Sequence, residues 1–252
     1  MTDALGIAVM MGAAAIAGAV NSVAGGGTLL TFPAIQAAGF ASTVANATST
    51  TALWPGQLTS LLGLRSELGE ARREALPLIA IGLVGGIVGA GLLLLTPSRL
   101  FDRLVPLLIL GATVLFMAQE PISRRMRERP DHRPSPLVWP FLLLVAVYGG
   151  YFGAGIGILT LSALSLLGHT QIHRMNALKA IFTLPINGVA AAIFIVNGLV
   201  DWRIAGWLSI GALFGGYFGA GAARRIGAKN VRRVVIGIGF ALAAYQLWKV
   251  LS

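Results

Sequence analysis

The chain has 252 residues, 56% of them hydrophobic and only 11% charged, with a mean hydropathy of +0.80. A soluble domain carries about 25% charged residues, so the composition excludes an ordinary water-soluble fold. The formal net charge of +10 fits the basic cytoplasmic loops of a membrane protein and not a nucleic-acid partner, and the absence of cysteine excludes disulfide and thiolate chemistry.

Apolar runs near the roughly 20 residues that span a bilayer lie at about 4–24, 45–64, 75–96, 104–119, 137–160, 177–199, 204–223 and 234–251, with a shorter one at 28–41. They are continuous and not alternating, which predicts helices and argues against a β-barrel. The first Lys or Arg is Arg65. The first run therefore lacks the basic flank of a cleavable signal peptide and is expected to remain as a membrane segment.

That first run ends in Ala24-Gly25-Gly26-Gly27, followed by Thr28. Three successive glycines leave the backbone free to depart from helical dihedrals. At membrane depth such a break survives only where it is buried in protein or lines a polar cavity. A helix restarting there offers N–H groups and a positive dipole end to an anion, with the hydroxyls of Thr28 and Thr31 beside it. Close packing of small residues is the competing reading of the glycines.

The next polar feature is Asn46-Ala47-Thr48-Ser49-Thr50-Thr51, followed by Trp54-Pro55-Gly56-Gln57. Hydroxyls that back-bond to a carbonyl one turn earlier explain some of these residues. Asn46 reads either as a helix N-cap or as a site group. Pro55 sits inside its helix and is expected to kink it or free a carbonyl. Further on, Gly85-Gly86-x-x-Gly89-Ala90-Gly91 reads as a packing surface.

All of this returns 130 residues later. Gly25 and Gly27 recur as Gly155 and Gly157, Asn46 as Asn176, Pro55 as Pro185, and the glycine cluster as Gly215-Gly216-x-x-Gly219-Ala220-Gly221. Asn176 is followed by Lys179, Thr183 and Asn187, with Lys179 at the position of Ser49. We read two repeats, 1–120 and 137–252, joined by a basic, Pro-rich cytoplasmic linker at 121–136.

Basic residues cluster at Arg65/Arg72/Arg73, at Arg124–Arg133 and at Arg224–Arg233. Placing all three clusters on the cytoplasmic side requires the run at 137–169 to be broken at Gly153–Gly157. Each repeat then has five elements, the first two short and meeting at a glycine break; a re-entrant hairpin has the same parity. An odd number of elements inverts one repeat relative to the other. With the N-terminus outside, 15 of the 19 Lys and Arg fall on the cytoplasmic side, as the positive-inside rule asks. The expected fold is all-α: two inverted repeats with about eight long membrane helices plus short half-helices at the breaks.

The polar residues at these breaks and helices form the candidate substrate site: Gly25, Gly26, Gly27, Thr28, Asn46, Thr48, Ser49, Gln57, Gly155, Gly157, Asn176, Lys179, Thr183 and Asn187. Lys179 either snorkels to the cytoplasmic interface or faces a central cavity and attracts an anion. None of the nine Asp and Glu falls at mid-membrane. Cation and proton pathways usually keep a carboxylate there, so the substrate is expected to be anionic. The Gly-x-Gly pieces lack the strand and ribose-binding acid of a dinucleotide site. No nucleotide-binding motif, catalytic pair or metal-ligand set is apparent, so no cofactor, no metal and no enzymatic activity are expected.

The stretch Ala19-Val-Asn-Ser-Val-Ala-Gly-Gly-Gly-Thr-Leu-Leu-Thr-Phe-Pro33, with Ala45-Asn46-Ala47-Thr48-Ser49, resembles the opening signature of the TauE/SafE family of sulfite exporters and related permeases. The second copy departs from it, carrying Gly155-Ile156-Gly157 in place of a glycine run. The resemblance implies a multi-pass protein of the bacterial plasma membrane that moves sulfite, a sulfonate or a related small anion. Two copies of a multi-helix unit suit a secondary transporter that holds its substrate between them and works by alternating access. Coupling to protons, to sodium or to the membrane potential are all compatible with the sequence, which sets no oligomeric state. The alternative reading is a membrane scaffold or assembly factor without transport.

Overall fold

A computed structural model describes residues 4–23, 26–62, 65–127, 137–169, 171–226 and 228–251. Regular structure among them is entirely helical: α1 Ala4–Val23, α2 Thr28–Ala37, α3 Ser42–Leu62, α4 Arg65–Leu95, α5 Ser98–Arg127, α6 Val138–Tyr151, α7 Ile156–Leu166, α8 Ile172–Val196, α9 Trp202–Ile226 and α10 Ala228–Leu251.

Seven of the described helices reach 20 residues or more, where eight long ones were expected. The difference is the run at 137–160, which the chain divides into α6 and α7. Gly153 and Gly155 hold φ of 76° and 75°, a left-handed conformation that ends a right-handed helix and that side chains beyond glycine rarely adopt. The first of the two expected short elements, α1, has 20 residues. Two stretches among the described residues, Glu74–Leu95 and Arg174–Val196, are by length and composition able to cross a bilayer unaided. Helix α5 continues to Arg127, past the expected repeat boundary at 120, and most of the expected linker, 128–136, lies outside the described residues.

Helix neighbours come in pairs related by the 130-residue shift. Helix α1 packs on α9 as α6 packs on α4, and α3 packs on α9 as α8 packs on α4. The pairs α1–α2 and α6–α7, and α2–α3 and α7–α8, match in the same way, while α3–α8 and α5–α10 pair with their own equivalents. Two hydrogen bonds join a residue to its own counterpart: Trp54 Nε1 donates to Leu184 O at 3.1 Å and Asn187 Nδ2 to Gln57 Oε1 at 3.1 Å. The line where the halves meet therefore runs through these residues of α3 and α8.

Small residues share the interior with bulky ones such as Phe32, Phe101 and Phe182, while many other large side chains face out. Ala14, Ala17, Ala45, Ala47, Ala52, Ala90 and Ala212 are wholly buried, whereas Leu95, Val196, Leu107 and Leu76 are largely exposed. That distribution suits lipid, where close backbone approach and not water exclusion drives helix association. The glycine clusters do this work. A Cβ on Gly89 would collide with the carbonyl oxygen of Val147 in α6, and one on Gly215 with that of Ala15 in α1.

A paired substitution tests this packing. Gly89→Ala should lower thermal stability in detergent by about 1–3 kcal/mol, because backbone must move to admit the methyl group. Gly91→Ala, at a position with nothing within 4 Å, should leave it unchanged. Equal melting temperatures for the two would show that α4 does not seat on α6 through Gly89.

Candidate functional site

At the first break the chain doubles back. An ideal Cβ on Gly27 would lie 2.7 Å from the Ala17 carbonyl oxygen and 2.7 Å from Asn21 Nδ2, so this position faces α1 one to two turns before its end. The N–H groups of Gly26 and Gly27 donate to Asn21 Oδ1 at 2.9 and 2.8 Å. The N–H groups of Leu29 and Leu30 go to the carbonyls of Gly26 and Gly27 at 3.0 and 2.9 Å. Most of the donors expected to await an anion are thus used by the fold, and Asn21, absent from the predicted site, uses two of them. Gly25 lies outside the described residues. Thr28 opens α2 and is half-buried.

The second break is built differently. Phe152 and Gly153 donate their N–H groups to Tyr148 O at 2.9 and 3.2 Å, and the Tyr148 hydroxyl donates to Ala154 O at 2.7 Å. Gly155 caps α7 in the left-handed conformation and Gly157 is buried in its first turn. Among the described residues, the N–H groups of Gly155 and Gly157 have no hydrogen-bond acceptor, so this break keeps two free donors. Phe152 meets Phe32 of α2 edge to face, ring centroids 5.4 Å apart.

The other predicted residues lie on α3 and α8. Neither Asn46 nor Asn176 is an N-cap: α3 starts at Ser42 and α8 at Ile172, so both lie about one turn inside. Asn46 is 1% exposed and donates Nδ2 to Tyr151 O at 3.0 Å. Its Oδ1 is buried and without a partner, and so is Oδ1 of Asn176. Ser49 is bonded to Thr31 through their hydroxyls at 2.5 Å. Thr48 accepts the N–H of Asp201 at 3.0 Å and so fastens the α8–α9 turn. Thr183 donates to Lys179 O at 2.9 Å, the back-bonding that hydroxyls make in helices.

Asn176, Lys179, Thr183 and Asn187 follow one another at intervals of three and four residues, so they form one stripe of α8. Asn46, Ser49 and Gln57 hold the matching positions on α3. The stripes meet at the Gln57–Asn187 bond. Lys179 is 6% exposed, and among the described residues no carboxylate pairs with its ammonium. Burying an unpaired charge is expensive. A groove of about 440 Å³ between α3, α4 and α8 is lined by Trp54, Ile79, Leu83, Ile181, Leu184, Pro185, Gly188 and Val189; its walls are apolar and suit no ion.

Away from the stripes, Glu74 of α4 joins α8 and the turn before it. Its carboxylate accepts from Arg174 Nη2 at 2.7 Å and lies 3.0 Å from His169 Nε2. Burial pushes the His169 pKa below its usual value of 6.5; the Glu74 carboxylate opposes this shift and Arg174 adds to it.

Among the described residues, ten helices with many large apolar side chains exposed, two broken helix pairs and a buried lysine suit a helical membrane protein. The chain belongs to the sulfite exporter TauE/SafE family, whose sequence profile matches residues 10–246. It is 28% identical over 247 residues to a probable membrane transporter protein, ORF9, of a Sinorhizobium species, covering 94% of this chain and 90% of the relative. It is 24% identical over 236 residues to a probable membrane transporter protein of Haemophilus influenzae (92% and 91% covered). To the probable membrane transporter protein YfcA of Escherichia coli K12 it is 25% identical over 253 residues (98% and 92% covered). No solved structure matches the chain.

Two outcomes follow from this geometry. Asn21→Ala strips two buried N–H groups of their acceptor and should cost about 1–3 kcal/mol for each. Asn21→Asp keeps an acceptor at the positive end of α2 and should retain most of the stability, as read by thermal unfolding. For His169, the depressed folded-state pKa means that its share of stability is present above about pH 6.5 and is lost as pH falls through the lower folded value. Melting temperature should therefore drop on acidification below that point, and His169→Gln should flatten the decline. A wild-type profile that rises on acidification would contradict it.

Proposed function

We propose that the protein is a secondary transporter that carries a small anion, sulfite, a sulfonate or a related sulfur-containing anion, across the bacterial plasma membrane. The observation that carries this reading is Lys179: 6% exposed, inside a membrane helix, with no partner for its charge among the described residues. Family membership and relatives named probable membrane transporter proteins support transport and not catalysis.

A sulfite or sulfonate group has three oxygens. In this reading the Lys179 ammonium takes one in a charge-assisted bond, and the free N–H groups of Gly155 and Gly157, with the Thr28 hydroxyl at the other break, supply neutral donors. The two repeats lie inverted in the bilayer, the N-terminus outside and the basic loops cytoplasmic. They rock against each other about the line through Trp54–Leu184 and Gln57–Asn187, exposing the site to each side in turn. The paired helix neighbours support a two-fold relation between the repeats, and the charge clusters support their inversion.

The test is flux of radiolabelled sulfite, then of a short alkylsulfonate, into proteoliposomes under imposed pH and potential gradients. Wild type should transport at least one of them. Lys179→Met, matched in length but neutral, should lose most of the rate, and Lys179→Arg should keep part of it. Undiminished flux in folded Lys179→Met protein would remove the lysine from the site; no flux of any small anion by wild type would remove the transporter reading itself.

A further inference from the structure

The buried amide of Asn46 has an oxygen that the fold does not use. Its orientation is fixed by chemistry: Tyr151 O can only accept, so the amide must turn Nδ2 toward it, at 3.0 Å. Oδ1 then points elsewhere, buried and with no donor. An orphaned acceptor at 1% exposure costs about 1–3 kcal/mol, so its retention needs a reason.

The surroundings are also acceptors. Tyr151 is the last residue of α6, whose carbonyl end carries partial negative charge. The turn takes the N–H groups of Phe152 and Gly153 to Tyr148 O. That leaves the carbonyls of Gly149 and Gly150 without donors among the described residues. An ideal Cβ on Gly153 would lie 3.1 Å from Gly149 O and 3.7 Å from Asn187 Oδ1, so Asn187 brings a further amide oxygen to this turn. We propose that Asn46 Oδ1, with the carbonyls at the end of α6 and Asn187 Oδ1, binds a small monovalent metal cation of the sodium class. On the transporter reading above, this ion is the coupling ion.

The chemistry narrows the occupant. An amide oxygen does not take up a proton near neutral pH, so a proton is not the ion held there. Neutral oxygens alone suit a monovalent cation, because sites for divalent ions rely on carboxylates, and among the described residues no cluster of three or more acidic or imidazole groups exists. Unwound carbonyls and the C-terminal end of a half-helix are the groups that hold sodium at broken membrane helices.

The second repeat offers a contrast. Asn176, the counterpart of Asn46, also has an orphaned Oδ1. Three residues after each asparagine, on the same helix face, the first repeat has Ser49 and the second has Lys179. One half thus carries a tethered positive charge where the other carries none.

The experiment titrates purified, detergent-solubilised protein held in choline chloride with NaCl, then with KCl, reading melting temperature and tryptophan fluorescence. Wild type should show a saturable shift with Na⁺ beyond that with choline. Asn46→Ala should raise the apparent dissociation constant by about tenfold or more, whereas Asn176→Ala should leave it unchanged. Asn46→Asp keeps an acceptor and serves if the alanine variant does not fold; it should bind Na⁺ at least as tightly above neutral pH. A wild type that responds equally to Na⁺, K⁺ and choline, or a folded Asn46→Ala with unaltered Na⁺ affinity, overturns the inference. Binding needs no flux: absent Na⁺ binding with intact anion transport fells this inference alone, and Na⁺ binding without anion transport fells only the transporter reading.

Discussion

Everything here depends on one constraint: a helix interrupted away from water must find partners for its freed backbone groups inside the protein. The chain is interrupted twice, at equivalent places, and solves the problem in two ways. At the first break, one carboxamide oxygen, Asn21 Oδ1, gathers the N–H groups of Gly26 and Gly27. At the second, the tyrosine at position 148 works from both ends, its carbonyl taking two N–H groups and its hydroxyl meeting the carbonyl of Ala154. The first solution leaves little free for a ligand. The second leaves free donors on α7 and free acceptors on α6, so polar chemistry concentrates there.

Close approach of backbones makes the breaks possible. Glycines and alanines on α4 and α9 let α6 and α1 come near enough that even a methyl group would meet carbonyl oxygens. Such contact holds the broken pairs in place without polar groups of their own. It leaves the polar residues of α3 and α8 to face one another, and these two helices cross where a residue touches its own counterpart. Contacts of this kind need no specific loop geometry. They follow from sequence similarity between the halves, which is why the 130-residue offset and the hydrogen bonds Trp54–Leu184 and Gln57–Asn187 coincide.

Much of this was legible in the sequence. Helical character follows from continuous apolar runs, and the division at Gly153–Gly157 follows from charge parity. The length of α1 was not, because three glycines mark where a helix ends but not how far the preceding one extends. Asn21 was missed for a similar reason. A single asparagine one turn before a glycine run looks like any polar residue near a helix end, and only the reversal of the chain brings it under the glycine N–H groups. Thr48 is the opposite case: as a hydroxyl in a polar cluster it looked like a ligand, yet it is bonded to the turn before α9. Sequence gives the type of a polar group, while the partner that uses it comes from elsewhere in the chain.

The departures from symmetry are more informative than the symmetry. The two halves match in helix order, break position and packing. A lysine at position 49 as well as 179 would fix two buried cations permanently near the axis, each destabilising the other. One lysine avoids this and makes the two halves electrically unequal. A serine at the counterpart position, satisfied by Thr31 at 2.5 Å, costs nothing in charge and leaves Asn46 beside it with an unused oxygen. In the proposed cycle an anion held by a fixed ammonium on one half and by an exchangeable ion on the other would be released when that ion leaves. The difference between one serine and one lysine is then what gives a nearly symmetric machine a direction.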